Sequence, residues 1–180
     1  MKKSEIRKKI FKLRKKKYFT SKLLDTSKFI NFLEKKKIKN KIIGGYYPYN
    51  YEIDILDILS KLENKNYHIS LPKIEKNSKM NFYSWSFKEP LLINNYGIPE
   101  PISKKKVYPE ILLIPLMGFD NKFNRLGYGG GFYDRYLAKL ENSKKVLKIG
   151  VGFSIQKVSK IPTNQYDIRL DSIITEKDIY

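Results

Sequence analysis

The chain has 180 residues, no cysteine, one histidine and a formal net charge of +19 at pH 7. Disulfides, thiolate metal sites, a cysteine nucleophile and a multi-histidine metal centre are therefore excluded. Hydrophobic residues make up 41% of the chain, enough for a buried core. No apolar run approaches the roughly 20 residues of a membrane helix, and the N-terminus lacks the apolar segment of a secretory signal. We expect one domain over residues 1–180, in a soluble cytoplasmic protein.

The positive charge has two interpretations. Lys plus Arg total 37 against 18 for Asp plus Glu, a balance that can indicate a nucleic-acid partner. However, Ala138 is the only alanine, Ile and Asn are abundant, and lysines are spread over most of the chain. This distribution favours a chain-wide compositional bias, with the lysines on a solvated surface, over a dedicated nucleic-acid interface. The five arginines are informative for the same reason, because Arg offers a planar fork for phosphate or carboxylate that Lys lacks.

In chain order, the hydrophobic pattern alternates between helical and strand periodicity. Helices are predicted over residues 3–19, 21–36, 53–65 and 132–140. Strands are predicted over residues 41–47, 68–71, 80–87, 111–116, 146–151 and 172–175. Pro72 is expected to end the second strand, and residues 94–101 are expected to form a connector. The alternation predicts a three-layer α/β/α fold with a mostly parallel central sheet.

One segment combines several features of an anion site. Residues 118–137 follow the predicted strand 111–116 and end inside a predicted helix. Residues 127–131 contain four glycines, which let backbone amides approach an anion beside a helix N-terminus. Arg125 precedes them and can grip phosphate, and Asp134 follows them, either to complement the helix dipole or to bind magnesium.

Glycines after a strand can also form nothing more than a tight turn. The segment is neither a P-loop nor the usual dinucleotide fingerprint. The combination of glycines, a preceding Arg and a following Asp nevertheless favours an anion site. The residues by themselves predict a phosphate-binding α/β enzyme.

The same segment resembles the signature of the 5-formyltetrahydrofolate cyclo-ligase family, also called methenyltetrahydrofolate synthetases. Phe132 stands where that family usually has Tyr. The positions that fit the signature are Pro115, Phe119, Asp120, Asn124, Arg125, Leu126, Gly127, Gly129, Gly131, Tyr133 and Asp134.

Shorter matches extend the resemblance over nearly the whole chain. Lys3 and Arg7, which on pattern alone suit a solvated basic helix, resemble the family's N-terminal Lys-x-x-x-Arg. Further matches are the Leu-Pro-Lys at 71–73, the turn at 96–101, and Asp171, which resembles a second magnesium carboxylate.

The resemblance implies ATP-dependent closure of 5-formyltetrahydrofolate to 5,10-methenyltetrahydrofolate, with Mg²⁺ as cofactor. The implied catalytic residues are Arg125, Tyr133 and Asp134. The implied ATP contacts are Lys3, Arg7, Arg125, Leu126, Gly127, Tyr128, Gly129, Gly130, Gly131, Phe132 and Tyr133. The implied folate contacts are Tyr47, Glu52 and Tyr96, and the implied metal ligands are Asp134 and Asp171.

The resemblance also implies a monomer with no membrane partner and no specific nucleic-acid partner. Two alternatives stay open at the level of sequence. A small basic RNA-binding protein would bind RNA with steep salt dependence. A different phosphate-handling enzyme could use the same fold.

Overall fold

The structure is a computed structural model that describes residues 2–20, 24–36, 38, 41–76, 79–141 and 145–180. The helices are α1 (Lys3–Lys17), α2 (Thr26–Lys35), α3 (Leu56–Asn64) and α4 (Phe132–Glu141). The strands are β1 (Ile42–Gly44), β2 (His68–Glu75), β3 (Lys79–Ser84), β4 (Leu91–Ile93), β5 (Pro99–Pro101), β6 (Lys106–Val107), β7 (Ile111–Pro115), β8 (Gly118–Phe119), β9 (Arg125–Leu126), β10 (Leu147–Val151) and β11 (Ser172–Ile174).

Seven of these strands form one mixed sheet in the order β11-β10-β7-β1-β2-β3-β6. The five strands from β11 to β2 pair in parallel, whereas β3 and β6 add antiparallel at one side. The predicted α/β fold with a mostly parallel sheet is confirmed. In such sheets, ligands bind beyond the carboxyl ends of the strands.

The central strand β7 explains how helices cover both faces of the sheet. Successive side chains of a strand point to opposite faces. Ile111 and Leu113 join a core formed with α2 and α3, while Leu112 and Ile114 join a separate core formed with α4. A strand buried on both faces has to be apolar at every position, as β7 is.

Helix α1 occupies a different place from the other helices. Ile6 and Ile10 pack against Met117, Leu126 and Ile161, which belong to the segment after β7, to β9 and to a later loop. This apolar stripe seats α1 beside the small β8–β9 hairpin. The basic residues at its start are therefore brought to the carboxyl end of the sheet. In the part of the chain that the structure describes, no helix has the length and apolar character needed to cross a bilayer.

Some boundaries differ from the sequence predictions. Helix α2 begins at Thr26 because the Asp25 carboxylate accepts a hydrogen bond from the Lys28 amide (2.9 Å) and so caps it. Residues 21–23, which the predicted helix included, lie outside the described residues.

The prediction that Pro72 ends the second strand is wrong. The pairing of β1 with β2 ends at Ser70, so β1 needs no hydrogen bond from residue 72. The strand can therefore continue through Pro72 while it pairs with β3.

Two hairpins were not predicted. Residues 94–101, expected as a connector, include β5, which pairs with β4. The β8–β9 hairpin lies inside the glycine-rich segment and pairs Phe119 with Arg125. Both hairpins have very short strands, which leave little periodicity to detect.

Candidate active site

A cavity of about 920 Å³ opens at the carboxyl ends of β1 and β7. Its walls come from α1, from the segment after β1, from the β4–β5 hairpin and from residues 164–168. The glycine loop, defined as residues 126–131, and the start of α4 close the opposite side. The cavity thus lies where this class of sheet presents ligand contacts.

The structure brings almost all of the predicted site residues to this cavity, although they come from distant parts of the sequence. The predicted residues that line it are Lys3, Arg7, Tyr47, Glu52, Tyr96, Arg125, Leu126, Gly127, Tyr128, Gly129, Gly130, Gly131, Phe132, Tyr133 and Asp134.

The glycine loop is held against α1. The Arg7 Nε donates a hydrogen bond to the Gly127 carbonyl oxygen at 2.8 Å. Gly129 has φ +109°, and a Cβ at this position would lie 3.4 Å from the Arg7 guanidinium carbon. The backbone conformation favours glycine there, whereas the contact with Arg7 is at an ordinary distance. The start of α1 and the loop consequently present positive charge and backbone amides to one region.

Arg125 and Asp134 form the most buried ion pair of the cavity. The Arg125 Nη2 lies 2.6 Å from the Asp134 Oδ1, and the Arg125 side chain is 4% exposed. The Arg125 guanidinium also lies 5.6 Å from the centre of the Tyr133 ring. Arg125 Nε and the Tyr133 hydroxyl are buried without a hydrogen-bond partner among the described residues. Buried polar groups are normally paired, and both residues line the cavity with other parts of their side chains or backbone.

The Tyr133 hydroxyl keeps its proton. Burial, followed by the nearby Glu52 carboxylate, raises the pKa of Tyr133 well above the usual value for tyrosine. The hydroxyl is therefore a hydrogen-bond donor at neutral pH, which suits a ligand oxygen or anion.

Asp171 is not at the cavity, so the structure does not support its predicted place in a magnesium site with Asp134. Its Oδ2 accepts a hydrogen bond from the Lys148 amide (2.7 Å), at the start of β11. Asp167, four residues earlier, does line the cavity, and its Oδ2 lies 2.6 Å from the Lys3 Nζ. The sequence prediction missed Asp167. Among the described residues, no group of three or more His, Asp or Glu side chains is arranged to hold a metal ion.

Asp120 fixes the turn that leads into Arg125. Its buried carboxylate accepts hydrogen bonds from the amides of Lys122 (2.9 Å), Asn124 (3.1 Å) and Ile161 (3.0 Å), and from the Asn124 side chain (2.9 Å). Burial acts to raise the pKa of Asp120, but these hydrogen bonds together hold it below its usual value. The carboxylate thus orders the turn between β8 and β9 and ties it to a later loop at Ile161.

We expect Asp120→Ala to lower the free energy of unfolding by about 2–4 kcal/mol, because several N–H groups lose their acceptor. Urea denaturation at pH 7 measures this loss. Since the pKa is lowered in the folded state, the stabilisation is present at neutral pH and disappears as the pH falls through that pKa. The two proteins should therefore converge in stability in acid, and a constant difference down to pH 3 would contradict the prediction.

Glu52 is held at the other side of the cavity by a tight turn. Asn50 and Tyr51 adopt positive φ values of 48° and 61°, which direct the chain back on itself. The Tyr49 amide donates to the Glu52 Oε2 at 2.9 Å, and Glu52 is 6% exposed. Burial raises the pKa of Glu52 to about 7, although the hydrogen bond from Tyr49 acts in the opposite direction. Glu52 can therefore exchange a proton near neutral pH.

Aromatic side chains line the space between the two sides. Tyr47 belongs to the turn before Glu52, and the Tyr96 ring meets Phe132 edge-on at 6.3 Å. Phe82 is fully buried in the core with α4 and does not line the cavity.

Arg14 was also missed by the site prediction. Its side chain is completely buried, and its Nη2 donates to the Tyr128 hydroxyl and the Asn50 carbonyl oxygen, each at 2.5 Å. The signal available in the sequence was an arginine kept in a helix that otherwise favours lysine.

Residues 1–176 match the sequence model of the 5-formyltetrahydrofolate cyclo-ligase family. A 5-formyltetrahydrofolate cyclo-ligase of Haemophilus influenzae is 33% identical over 156 residues, covering 83% of this chain and 82% of that protein. The enzyme of the same name from Escherichia coli strain K12 is 29% identical over 145 residues, covering 77% and 79%.

Solved structures agree with these sequence matches. The NMR structure of a 5,10-methenyltetrahydrofolate synthetase from Aquifex aeolicus superposes with a TM-score of 0.77 at 28% identity, covering 99% of this chain and 92% of that one. A 5,10-methenyltetrahydrofolate synthetase from Mycoplasma pneumoniae gives a TM-score of 0.75 at 26% identity, covering 98% and 99%. With one sequence model spanning nearly its whole length, and with these relatives and this fold, the chain belongs to the 5-formyltetrahydrofolate cyclo-ligase family.

Proposed function

We propose that this chain cyclises 5-formyltetrahydrofolate to 5,10-methenyltetrahydrofolate with consumption of ATP and release of ADP and phosphate. The observation that carries the proposal is one cavity with two chemically different sides. One side has cations and a glycine loop suited to phosphates. The other has a buried carboxylate and aromatic rings suited to a flat, nitrogen-rich heterocycle.

On the nucleotide side, Lys3, Arg7 and Arg125 neutralise the phosphates of ATP. The amides of residues 126–131 add hydrogen bonds, and α4 begins directly after them with its positive end toward the cavity. The Tyr133 hydroxyl and Arg125 Nε are buried donors left unpaired, which suits an anionic ligand. Transfer of a phosphoryl group needs positioning and charge neutralisation more than a protein nucleophile.

On the folate side, the Glu52 carboxylate accepts hydrogen bonds from the amino group and ring N–H of the pterin. An ionised carboxylate only accepts, so it can take two adjacent donors at once. Tyr47 and Tyr96 provide walls for the pterin and aryl rings. All of these groups belong to one chain, which supports the proposal that the monomer is active.

The chemistry proceeds in two steps. The formyl oxygen of the substrate attacks the γ-phosphorus of ATP, the bond to ADP breaks, and an iminium phosphate forms. The arylamine nitrogen of the same molecule then attacks the formyl carbon and loses its proton. Expulsion of phosphate leaves the methenyl bridge. The protein's part is to hold the two substrates in line and to neutralise the charge that moves to ADP and phosphate.

The residues present fit a magnesium ion that enters with ATP. Asp134 and Asp167 line the same cavity, and magnesium is usually held by one or two carboxylates together with substrate phosphates. The absence of a larger acidic cluster among the described residues agrees with such a site rather than with an all-protein cage. When bound, the ion would neutralise phosphate charge. We therefore propose Asp134 as a metal ligand, with Asp167 in the place first predicted for Asp171.

The decisive experiment follows the absorbance of the methenyl product. Purified protein is mixed with 5-formyltetrahydrofolate and magnesium-ATP, and the release of ADP is measured in parallel. We expect one ADP per product formed and no product without ATP or with a non-hydrolysable analogue. Product formation without ATP would overturn the proposed mechanism, and absence of product with all components would overturn the proposed function.

Arg7→Met tests whether α1 contributes to the nucleotide side. Loss of a charge-assisted contact is worth about 1.5–3 kcal/mol, so the KM for ATP should rise by about 10- to 100-fold, with a much smaller change in the KM for the folate. Lys8→Met is the matched control, because Lys8 is the exposed neighbour of Arg7 on the same helix. Equal effects of the Arg7 variant on both substrates, or an effect no larger than that of the control, would leave α1 as a solvated basic helix.

A further inference from the structure

A buried arginine that does not itself line the cavity connects the segments on its two sides. Arg14 is fully buried, and its hydrogen-bond partners are neutral oxygens: the Tyr128 hydroxyl (2.5 Å), the Asn50 carbonyl (2.5 Å) and the Leu116 carbonyl (3.4 Å). Tyr128 belongs to the glycine loop, and Asn50 belongs to the turn that presents Glu52. One guanidinium therefore holds two segments that carry predicted ligand contacts and that are far apart in sequence.

The charge of Arg14 also acts on Glu52. The Tyr128 hydroxyl accepts from Arg14 and lies 3.5 Å from the carbonyl oxygen of Tyr49, whose amide donates to the Glu52 carboxylate. Burial raises the pKa of Glu52, while the hydrogen bond from the Tyr49 amide, the neighbouring Tyr128 hydroxyl and the charge of Arg14 act to lower it. Tyr46 and Tyr133 also face Glu52, and the Glu52 charge raises the pKa of both tyrosines. Both phenols are therefore neutral near pH 7, and Arg14 is the cation among these groups.

A buried guanidinium and a buried carboxylate are each costly unless a partner compensates them. Here Arg14 is compensated by three oxygen acceptors, and its positive charge stabilises the ionised form of the nearby Glu52 carboxyl. Burial and Glu52 raise the pKa of Tyr128, so its hydroxyl stays protonated near neutral pH. Lysine could not replace this arrangement, because its ammonium is a single point and cannot fork between separate acceptors.

We infer that Arg14 is a positioning residue for folate recognition, which binds the Tyr128 hydroxyl and the Asn50 carbonyl and so holds the turn that carries Glu52 in register with the glycine loop. This inference rests on the proposed folate site. It assigns a specificity role to the side chain of Tyr128, which the sequence had placed only among the nucleotide contacts.

The test compares Arg14→Met and Tyr128→Phe with the control Lys12→Met, which removes an exposed charge from the same helix. Calorimetry measures the Kd for 5-formyltetrahydrofolate between pH 6 and 8.5, and the KM for ATP is measured alongside. We expect Arg14→Met to weaken folate binding at least tenfold and Tyr128→Phe to weaken it several-fold. The change in the KM for ATP should be smaller in both variants.

The pH dependence separates positioning from simple packing. Loss of a nearby opposite charge raises a carboxyl pKa by about 1–3, and loss of a neighbouring hydroxyl that stabilises the ionised form acts in the same direction. The pH at which folate affinity reaches half of its plateau should therefore rise in both variants and stay unchanged in Lys12→Met. A packing defect alone would weaken binding without moving this midpoint.

Tyr128→Phe keeps the inference falsifiable if Arg14→Met does not fold, because it removes only one hydroxyl. Wild-type folate affinity and an unchanged midpoint in Tyr128→Phe would overturn the inference. Failure of the proposed function is recognised separately, as no binding of 5-formyltetrahydrofolate by the wild-type protein. In that case, the Glu52 carboxyl titration, followed by carbon-13 NMR in the free protein, still decides whether Arg14 and Tyr128 control this group.

Discussion

Asp134→Asn is expected to lower kcat on the order of 100- to 1,000-fold, the usual cost of losing one well-placed electrostatic group. The carboxylate has two tasks in the proposed site: it pairs with the Arg125 guanidinium at 2.6 Å and it offers a ligand to magnesium. An asparagine keeps the size and one acceptor oxygen, so it can still accept from Arg125. The folded structure should therefore survive, and the lost charge should be felt mainly when ATP and magnesium bind.

The measurement is kcat as a function of magnesium concentration, with circular dichroism on the same preparation. Asp171→Asn is the matched control, because Asp171 lies outside the cavity and its contact to the Lys148 amide needs only an acceptor oxygen. We expect the control to keep normal turnover. Activity of Asp134→Asn within about threefold of wild type, a barrier change of roughly 0.7 kcal/mol, would reduce Asp134 to a helix-start residue.

Much of the fold could be predicted because its strongest signals are local. The uninterrupted apolar run of β7 indicates by itself a strand that is buried on both faces. The apolar residues with which α1 packs repeat at helical spacing. The β8–β9 hairpin lacked such a signal. Its turn is fixed by Asp120, which accepts from the amides of Lys122 and Asn124 within the turn and from the amide of Ile161, 41 residues away. Such long-range hydrogen bonds leave no periodic pattern in the amino-acid sequence.

In the candidate site, too, the residues that are contiguous in sequence could be predicted and those that depend on tertiary contacts could not. The glycine segment is continuous in sequence, so its glycines, Arg125 and Asp134 could be named together. Asp167 and Asp171 could not be told apart, because they lie four residues apart on one connector. Tertiary structure separates their positions: Asp167 pairs with Lys3, 164 residues away, whereas Asp171 accepts a hydrogen bond from Lys148 of β10.

Glu52→Gln should weaken binding of 5-formyltetrahydrofolate by about 10- to 100-fold, as expected when a charge-assisted hydrogen bond worth about 1.5–3 kcal/mol is lost. ATP affinity should be nearly unchanged, because the glycine loop and its cations form the other side of the cavity. Calorimetric titration with each ligand measures both quantities on one preparation. Unchanged folate affinity would remove Glu52 from the site.

A capping role for Glu52 at the start of the next helix is the competing hypothesis, and the structure argues against it. Helix α3 begins at Leu56, and its first amide is capped by the Asp54 Oδ1 at 2.8 Å. Glu52 lies before this turn and receives the Tyr49 amide instead. A capping residue replaced by glutamine would cost stability at every pH above its ordinary pKa.

The proposed substrate role predicts the opposite pH dependence of stability. Because burial raises the pKa of Glu52 to about 7, the folded protein favours the protonated carboxyl. That preference contributes stability below the ordinary pKa of about 4.5, and the contribution is lost as the pH rises through 7. At pH 8 the free wild-type protein holds a buried carboxylate that glutamine would replace with a neutral group. Glu52→Gln should therefore melt at the same temperature as wild type or higher at pH 8, with the difference shrinking toward pH 6.

Folate affinity of the wild type should rise over the same pH range as the carboxylate ionises, whereas that of the variant should stay flat. A variant that melts lower than wild type at pH 8 and keeps its folate affinity would assign Glu52 to the turn alone.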